Sequence, residues 1–138
     1  MANWANGNAW LSAWNAGCRN LTGSNCSFAH MCLHTYFEPS QVDYVFDSLQ
    51  SMHSEYGKPI WLNEFACPPY ENCSAADQLV FAREVVPRLE ATPYVYRYAW
   101  FEARAVGGEA LLANLTSPLA QAVQRTALGD WYNSFAAP

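Results

Sequence analysis

The chain is poor in charge. Only 14% of its 138 residues are Asp, Glu, Lys or Arg, and the seven Lys and Arg form no cluster. A net charge of −5 without a basic patch argues against nucleic acid and anionic membranes as partners. No apolar run approaches the roughly 20 residues of a membrane span. No linker and no low-complexity tract divides the sequence, which reads as one unit over 1–138. The opening MANWANGNAW lacks the basic and apolar regions of a secretion signal.

What is present is apolar and aromatic. Hydrophobic residues make up 51% of the chain, which excludes disorder, and aromatics reach 15%, with six Trp and eight Tyr. Such a chain packs aromatics or stacks them on a ligand. Five cysteines stand at 18, 26, 32, 67 and 73, and four Asn-x-Ser/Thr sequons at Asn20, Asn25, Asn72 and Asn114. Both features point outside the cell, so a secreted or cell-wall location is expected. With no secretion signal in view, the true start is expected upstream of Met1. A Cys67–Cys73 bridge would pin the intervening loop, and Cys18 and Cys26 could pair in the same way. Cys32 would then be a buried free thiol, although connectivity is not readable from sequence.

Strand and helix patterns alternate along the chain. Trp10, Leu11 and Trp14 in NAWLSAWNA mark an amphipathic helix, followed by a polar loop carrying Cys18 and Cys26. FAHMCLHTY (28–36) reads as a strand. PSQVDYVFDSLQSMHSEYG reads as a helix capped by Ser40 and stopped by Gly57, with Val42, Val45, Phe46, Leu49 and Met52 on one face. KPIWLNEF is the next strand. SAADQLVFAREVVPRLEA is a helix with a Ser74/Asp77 capping box and a kink expected at Pro87. YVYRYAWF (94–101) is a third strand, and SPLAQAVQRTALGDWYNSF closes with helical character. Nearly continuous apolar strands separated by helices predict parallel βα units with both sheet faces covered. Three such units are too few for a (β/α)8 barrel, which takes about 250 residues.

The strand IWLNEF ends on a carboxylate, Glu64. Ligands of parallel α/β folds bind at the carboxyl ends of strands. His34 and Tyr36 end the first strand, and Trp100 and Glu102 end the third. Carboxylate, imidazole and aromatic groups at one end suit sugar chemistry, in which glycosidases work with paired carboxylates. The plainer reading makes Glu64 the salt-bridged end of a buried strand. His30, Cys32 and His34 alternate onto one strand face, a pattern that also admits a metal site.

FAHMCLHTYF, YGKPIWLNEFAC and VYRYAWFEAR, with a final LGDWYNSF, resemble the C-terminal half of the glycosyl-hydrolase catalytic-core family. Its members include fungal cell-wall-linked proteins and the endo-β-1,3-glucanases of glycoside hydrolase family 128. The resemblance runs from about Trp10 to Phe135. It implies part of a TIM barrel, its sixth, seventh and eighth strands, and retaining chemistry on a β-1,3-glucan-type polysaccharide. It implies Glu64 as nucleophile, with His34, Tyr36, Asn63 and Trp100 as sugar contacts, and it needs no metal or other cofactor. It places the acid/base on a fourth strand that has no counterpart here. Glu38, Glu71 and Glu102 do not match that position. The chain thus reads as half an active site, or as a non-catalytic carbohydrate-binding or cell-wall protein.

Overall fold

The computed structural model describes residues 4–68, 73–105, 112–117 and 124–135. Three strands, β1 (Met31–Tyr36), β2 (Ile60–Ala66) and β3 (Val95–Trp100), pair in parallel in the order β1-β2-β3. Helices α1 (Trp4–Thr22), α2 (Val42–Tyr56), α3 (Ala75–Glu90) and α4 (Ala127–Ser134) precede, separate and follow them. This open parallel sheet with its helices is the architecture of part of an α/β barrel.

Local sequence explains the elements. The first helix runs past the expected 8–16, and Cys18 lies inside it rather than in a loop. Ser40 falls in a short 3-10 turn, Pro39–Gln41, so Gln41 rather than Ser40 caps α2. Val42, Val45, Leu49 and Met52 are buried along α2, as their spacing predicts. Gly57 ends the helix at φ 61°, a left-handed conformation that suits glycine, and its N–H bonds the His53 carbonyl. Helix α3 starts on the expected capping box: Ser74 Oγ accepts from Asp77 N–H, and Asp77 accepts from Ser74 N–H. The helix continues through Pro87 to Glu90. At the C-terminus helix is seen only over 127–134, while Thr116 and Arg125 form an antiparallel bridge; residues 118–123 of the expected helical stretch lie outside the described residues.

One face of the sheet is packed. Ile60, Leu62 and Phe65 of β2 are fully buried with Phe81, Val85, Val86 and Leu89 of α3 and Leu49 and Met52 of α2. Truncating a ring such as Phe81 to Ala in such a core costs about 3–5 kcal/mol. Tyr98 of β3 donates its phenol to Glu90 of α3, and burial, with that carboxylate, raises its pKa above the ordinary tyrosine value. Burial also raises the pKa of Tyr132 on α4, again with Glu90 adding to it. Helix α4 fits closely at Gly129, where an added Cβ would lie 1.9 Å from the Leu115 carbonyl oxygen.

The other face is open. His30, Cys32, His34, Trp61, Asn63, Tyr96 and Arg97 are exposed on or beside it. Covering of both faces, expected from the apolar strands, is therefore not what these residues form. Cys32 is correspondingly an exposed free thiol, not the buried one expected. The two anticipated disulfides, Cys18–Cys26 and Cys67–Cys73, are both present. Among the described residues no helix is long and apolar enough to cross a membrane.

Candidate active site

An irregularity in strand pairing builds the site. Leu33 pairs with Leu62, but His34 pairs with Glu64, so Asn63 is an extra residue in β2. Side chains alternate faces along a strand, and an inserted residue resets the alternation. Trp61, opposite Cys32, faces the open side; after the bulge at Asn63, so does Glu64, opposite His34. Under strict alternation, with no bulge at Asn63, Glu64 would share the buried face of Leu62.

The carboxylate is held from β1. Tyr36 donates its hydroxyl to Glu64 Oε2 at 2.6 Å, and His34 Nδ1 lies 3.1 Å from the same oxygen. Both contacts fall on Oε2, which leaves Oε1 as the oxygen available for chemistry. The distance from Tyr36 is that of a strong hydrogen bond to a charged acceptor. Glu64 is about one-third exposed at its side chain. It is oriented by neighbours yet reachable, an arrangement that suits a nucleophile better than a purely structural ion pair.

The third strand contributes differently from expectation. Trp100 pairs with Phe65 and shares its buried face. It is 7% exposed, packs edge-on against Phe65 at 5.2 Å, and donates its indole N–H to the Ala113 carbonyl at 2.8 Å. Its side chain belongs to the core rather than to the open face. The next residue, Phe101, sets its ring at 90° and 6.0 Å against Tyr36. Phe101, read from sequence as packing, is thus the strand-end aromatic that the fold sets against Tyr36, the residue that holds Glu64. The signal for it is the register: Phe101 N–H bonds the Phe65 carbonyl, one step past the Trp100 pairing. Asn63 is exposed and shares a cavity of about 370 Å³ with Trp61, Arg97 and Tyr98.

Gln78 of α3 is a second residue that sequence reasoning passed over. It is fully buried and takes both backbone groups of Cys67: its carbonyl accepts the Cys67 N–H at 3.1 Å, and its amide donates to the Cys67 oxygen at 2.7 Å. Cys67 stands just beyond the last paired residue of β2, where no strand can satisfy these groups. Gln78 fixes the chain three residues after Glu64, and the Cys67–Cys73 bridge closes the following loop.

Of the other carboxylates at this end, Glu38 is exposed, Glu102 is half-buried, and Glu71 lies outside the described residues. His30 sits on the Tyr96 ring at 4.8 Å and His34 on Glu64; among the described residues no group of three or more His, Cys, Asp or Glu is placed to hold a metal ion. Asn114 is buried, and its amide bonds both backbone groups of Ala105, so in the folded chain this sequon offers no glycan acceptor.

Comparison with known proteins supplies the context. The chain is similar to a family 128 subgroup II endo-β-1,3-glucanase from Pseudomonas viridiflava, with 28% identity and a TM-score of 0.76, over 100% of this chain and 52% of that one. It is similar to the subgroup II enzyme of Sorangium cellulosum, also at 28% identity, with a TM-score of 0.73 over 94% of this chain and 47% of that one. A subgroup I endo-β-1,3-glucanase of Amycolatopsis mediterranei, solved with laminarihexaose, shares the fold at 22% identity and a TM-score of 0.76, over 99% of this chain and 55% of that one. The chain spans about half the length of these structures. No curated protein sequence matches it. The sequence profile of the glycosyl hydrolase catalytic core matches residues 1–132. The chain belongs to the glycosyl hydrolase catalytic core family.

Proposed function

We propose that this chain is the C-terminal part of a glycoside hydrolase domain that cleaves β-1,3-glucan by retention, with Glu64 as nucleophile. The observation that carries the reading is the pair of contacts from His34 and Tyr36 to one Glu64 oxygen on the open sheet face. In that reaction the free oxygen of Glu64 attacks the anomeric carbon, the glycosidic C–O bond breaks, and a glycosyl ester forms; water then hydrolyses the ester. His34, Tyr36 and Asn63 line the sugar's path, with Phe101 in the aromatic place first assigned to Trp100. The strands are the sixth to eighth of a barrel, and the two disulfides fit an oxidising, secreted or wall-bound location.

A retaining site needs a second carboxyl group about 5–5.5 Å from the first. Glu38 and Glu102 do not match the family's acid/base position, which belongs to a strand outside this sequence. The isolated chain therefore turns over laminarin slowly or not at all. Robust laminarin hydrolysis by the chain alone, abolished in Glu64→Gln, would contradict the half-site reading. A non-catalytic carbohydrate-binding protein is the second reading. It is favoured by the exposed aromatics Trp61 and Tyr96 on the open face, and by oligosaccharide binding without turnover once the missing strands are supplied.

A further inference from the structure

Strand β2 holds one residue more than either neighbour. From Leu62 it takes two steps to Glu64 where β1 takes one, Leu33 to His34, and three steps to Phe65 where β3 takes two, Tyr98 to Trp100. Two pairings therefore compete for the strand after Asn63. In the pairing present, Glu64 lies opposite His34 and Phe65 opposite Thr35. Drawn back by one residue, the strand would lose its bulge: Asn63 would meet His34, and Glu64 would meet Thr35. Thr35 is 4% exposed and Phe65 is fully buried. That slip would therefore turn the carboxylate to the buried face and the Phe65 ring to the open one.

Phe65 favours the observed pairing by its own burial. Only three pairs follow the bulge on the β1 side, His34–Glu64, Thr35–Phe65 and Tyr36–Ala66, and Cys67 comes next. There the chain is tied twice. Gln78 accepts the Cys67 N–H at 3.1 Å and donates to its carbonyl at 2.7 Å. Backbone groups are alike in every residue, so Gln78 makes a place for one residue without choosing which. The Cys67–Cys73 disulfide makes the choice.

Both ties lead to one corner of α3. Cys73 stands just before Ser74, the cap of the helix, and Gln78 N–H bonds the Ser74 carbonyl at 3.0 Å. Cys67 and Gln78 are fully buried, and Cys73 is 4% exposed. The corner joins the middle strand to the helix that follows it, so it draws on neither edge of the sheet.

We infer that Cys73 and Gln78 are positioning residues for Glu64: by holding Cys67 in place they keep the bulge at Asn63, and with it the carboxylate beside His34 and Tyr36. The consequence for catalysis rests on the nucleophile reading of Glu64; the register does not.

The test reads the register of the full chain by NMR, through nuclear Overhauser contacts between the β1 and β2 backbones. The native chain is expected to show His34–Glu64 and Thr35–Phe65 contacts. Cys73→Ala and Gln78→Met together remove both ties, and His34–Asn63 and Thr35–Glu64 contacts are expected in their place. Each substitution alone is expected to show the two pairings side by side. Asp77→Asn weakens the α3 cap without touching Cys67, so it separates lost stability from lost register, and it is expected to keep the native contacts. The same proteins are then treated with a 2-deoxy-2-fluoro-β-laminaribiosyl fluoride, which a nucleophilic carboxylate captures. Capture on Glu64 is expected to slow by about a hundredfold in the double variant and to stay native in Asp77→Asn. Native contacts in the native chain without any capture would overturn the nucleophile reading, while the contacts in the variants still judge the anchor. One measurement needs no variant to fold: in the native chain the Cys67 amide is expected to exchange with solvent no faster than the amides of β2. Free exchange at Cys67, or native His34–Glu64 contacts in every folded variant, would overturn the proposal and leave the burial of Phe65 as what holds the register.

Discussion

Tyr36 and His34 meet on the same oxygen of Glu64, at 2.6 and 3.1 Å. A hydrogen bond to a charged group contributes about 1.5–3 kcal/mol. If Tyr36 orients the nucleophile, Tyr36→Phe in a complete barrel carrying this chain lowers kcat by about ten- to a hundredfold with little change in KM. Steady-state kinetics on laminarihexaose measures it. An unchanged kcat would make the Tyr36 bond incidental.

Trp100 and Phe101 separate structure from binding. Trp100→Phe removes the donor to the Ala113 carbonyl and leaves that buried oxygen unpaired, a loss of about 1–3 kcal/mol. Denaturant unfolding should show it, while oligosaccharide affinity stays the same. Phe101→Ala should do the reverse, weakening sugar binding more than stability. The opposite pattern would return Trp100 to the sugar path.

Cys32 gives a direct reading of the open face. As an exposed free thiol it reacts with one equivalent of a thiol reagent in the native chain, and Cys32→Ser abolishes the reaction. Mass spectrometry counts the label. Under the proposed function further strands would cover this face, so labelling in a complete barrel carrying this chain should slow sharply; equal rates in both would mean that the face stays open.

The start of α3 carries an acid-side signature. Hydrogen bonds from Ser74 hold the Asp77 carboxyl below its usual value of 3.8. A depressed folded-state pKa stabilises above the unfolded value and is lost as pH falls through the folded one. Thermal unfolding of the native chain should therefore weaken as pH falls below about 3.8, and Asp77→Asn should flatten that part of the profile. A parallel decline in both proteins would place the acid sensitivity elsewhere.

Much of this was legible in the sequence. The α2 stripe, the Gly57 stop, the Ser74/Asp77 cap and the Glu64, His34 and Tyr36 assembly all follow from periodicity and motif. What was not legible came from non-local geometry. Strict alternation cannot anticipate the bulge at Asn63, which turns Glu64 outward, nor the register that pairs Trp100 with Phe65 and sends Phe101 toward Tyr36. Apolar strands implied two covered faces, but which face is covered is set by where the helices pack, and the core residues of α2 and α3 lie on one side of the sheet while Cys32 is exposed on the other. Gln78 gave no signal, because its role is set by where β2 runs out of partners.

The central claim is that Glu64 is the nucleophile, and trapping its glycosyl ester tests it most directly. A 2-deoxy-2-fluoro-β-laminaribiosyl fluoride has a leaving group that needs no general acid, so the reaction requires no second carboxylate. The Glu64 oxygen bonds the anomeric carbon and fluoride departs. Peptide mapping is predicted to find the sugar on Glu64 in the native chain and nowhere in Glu64→Gln. An unlabelled chain, or a label on Glu38 or Glu102, would contradict the account.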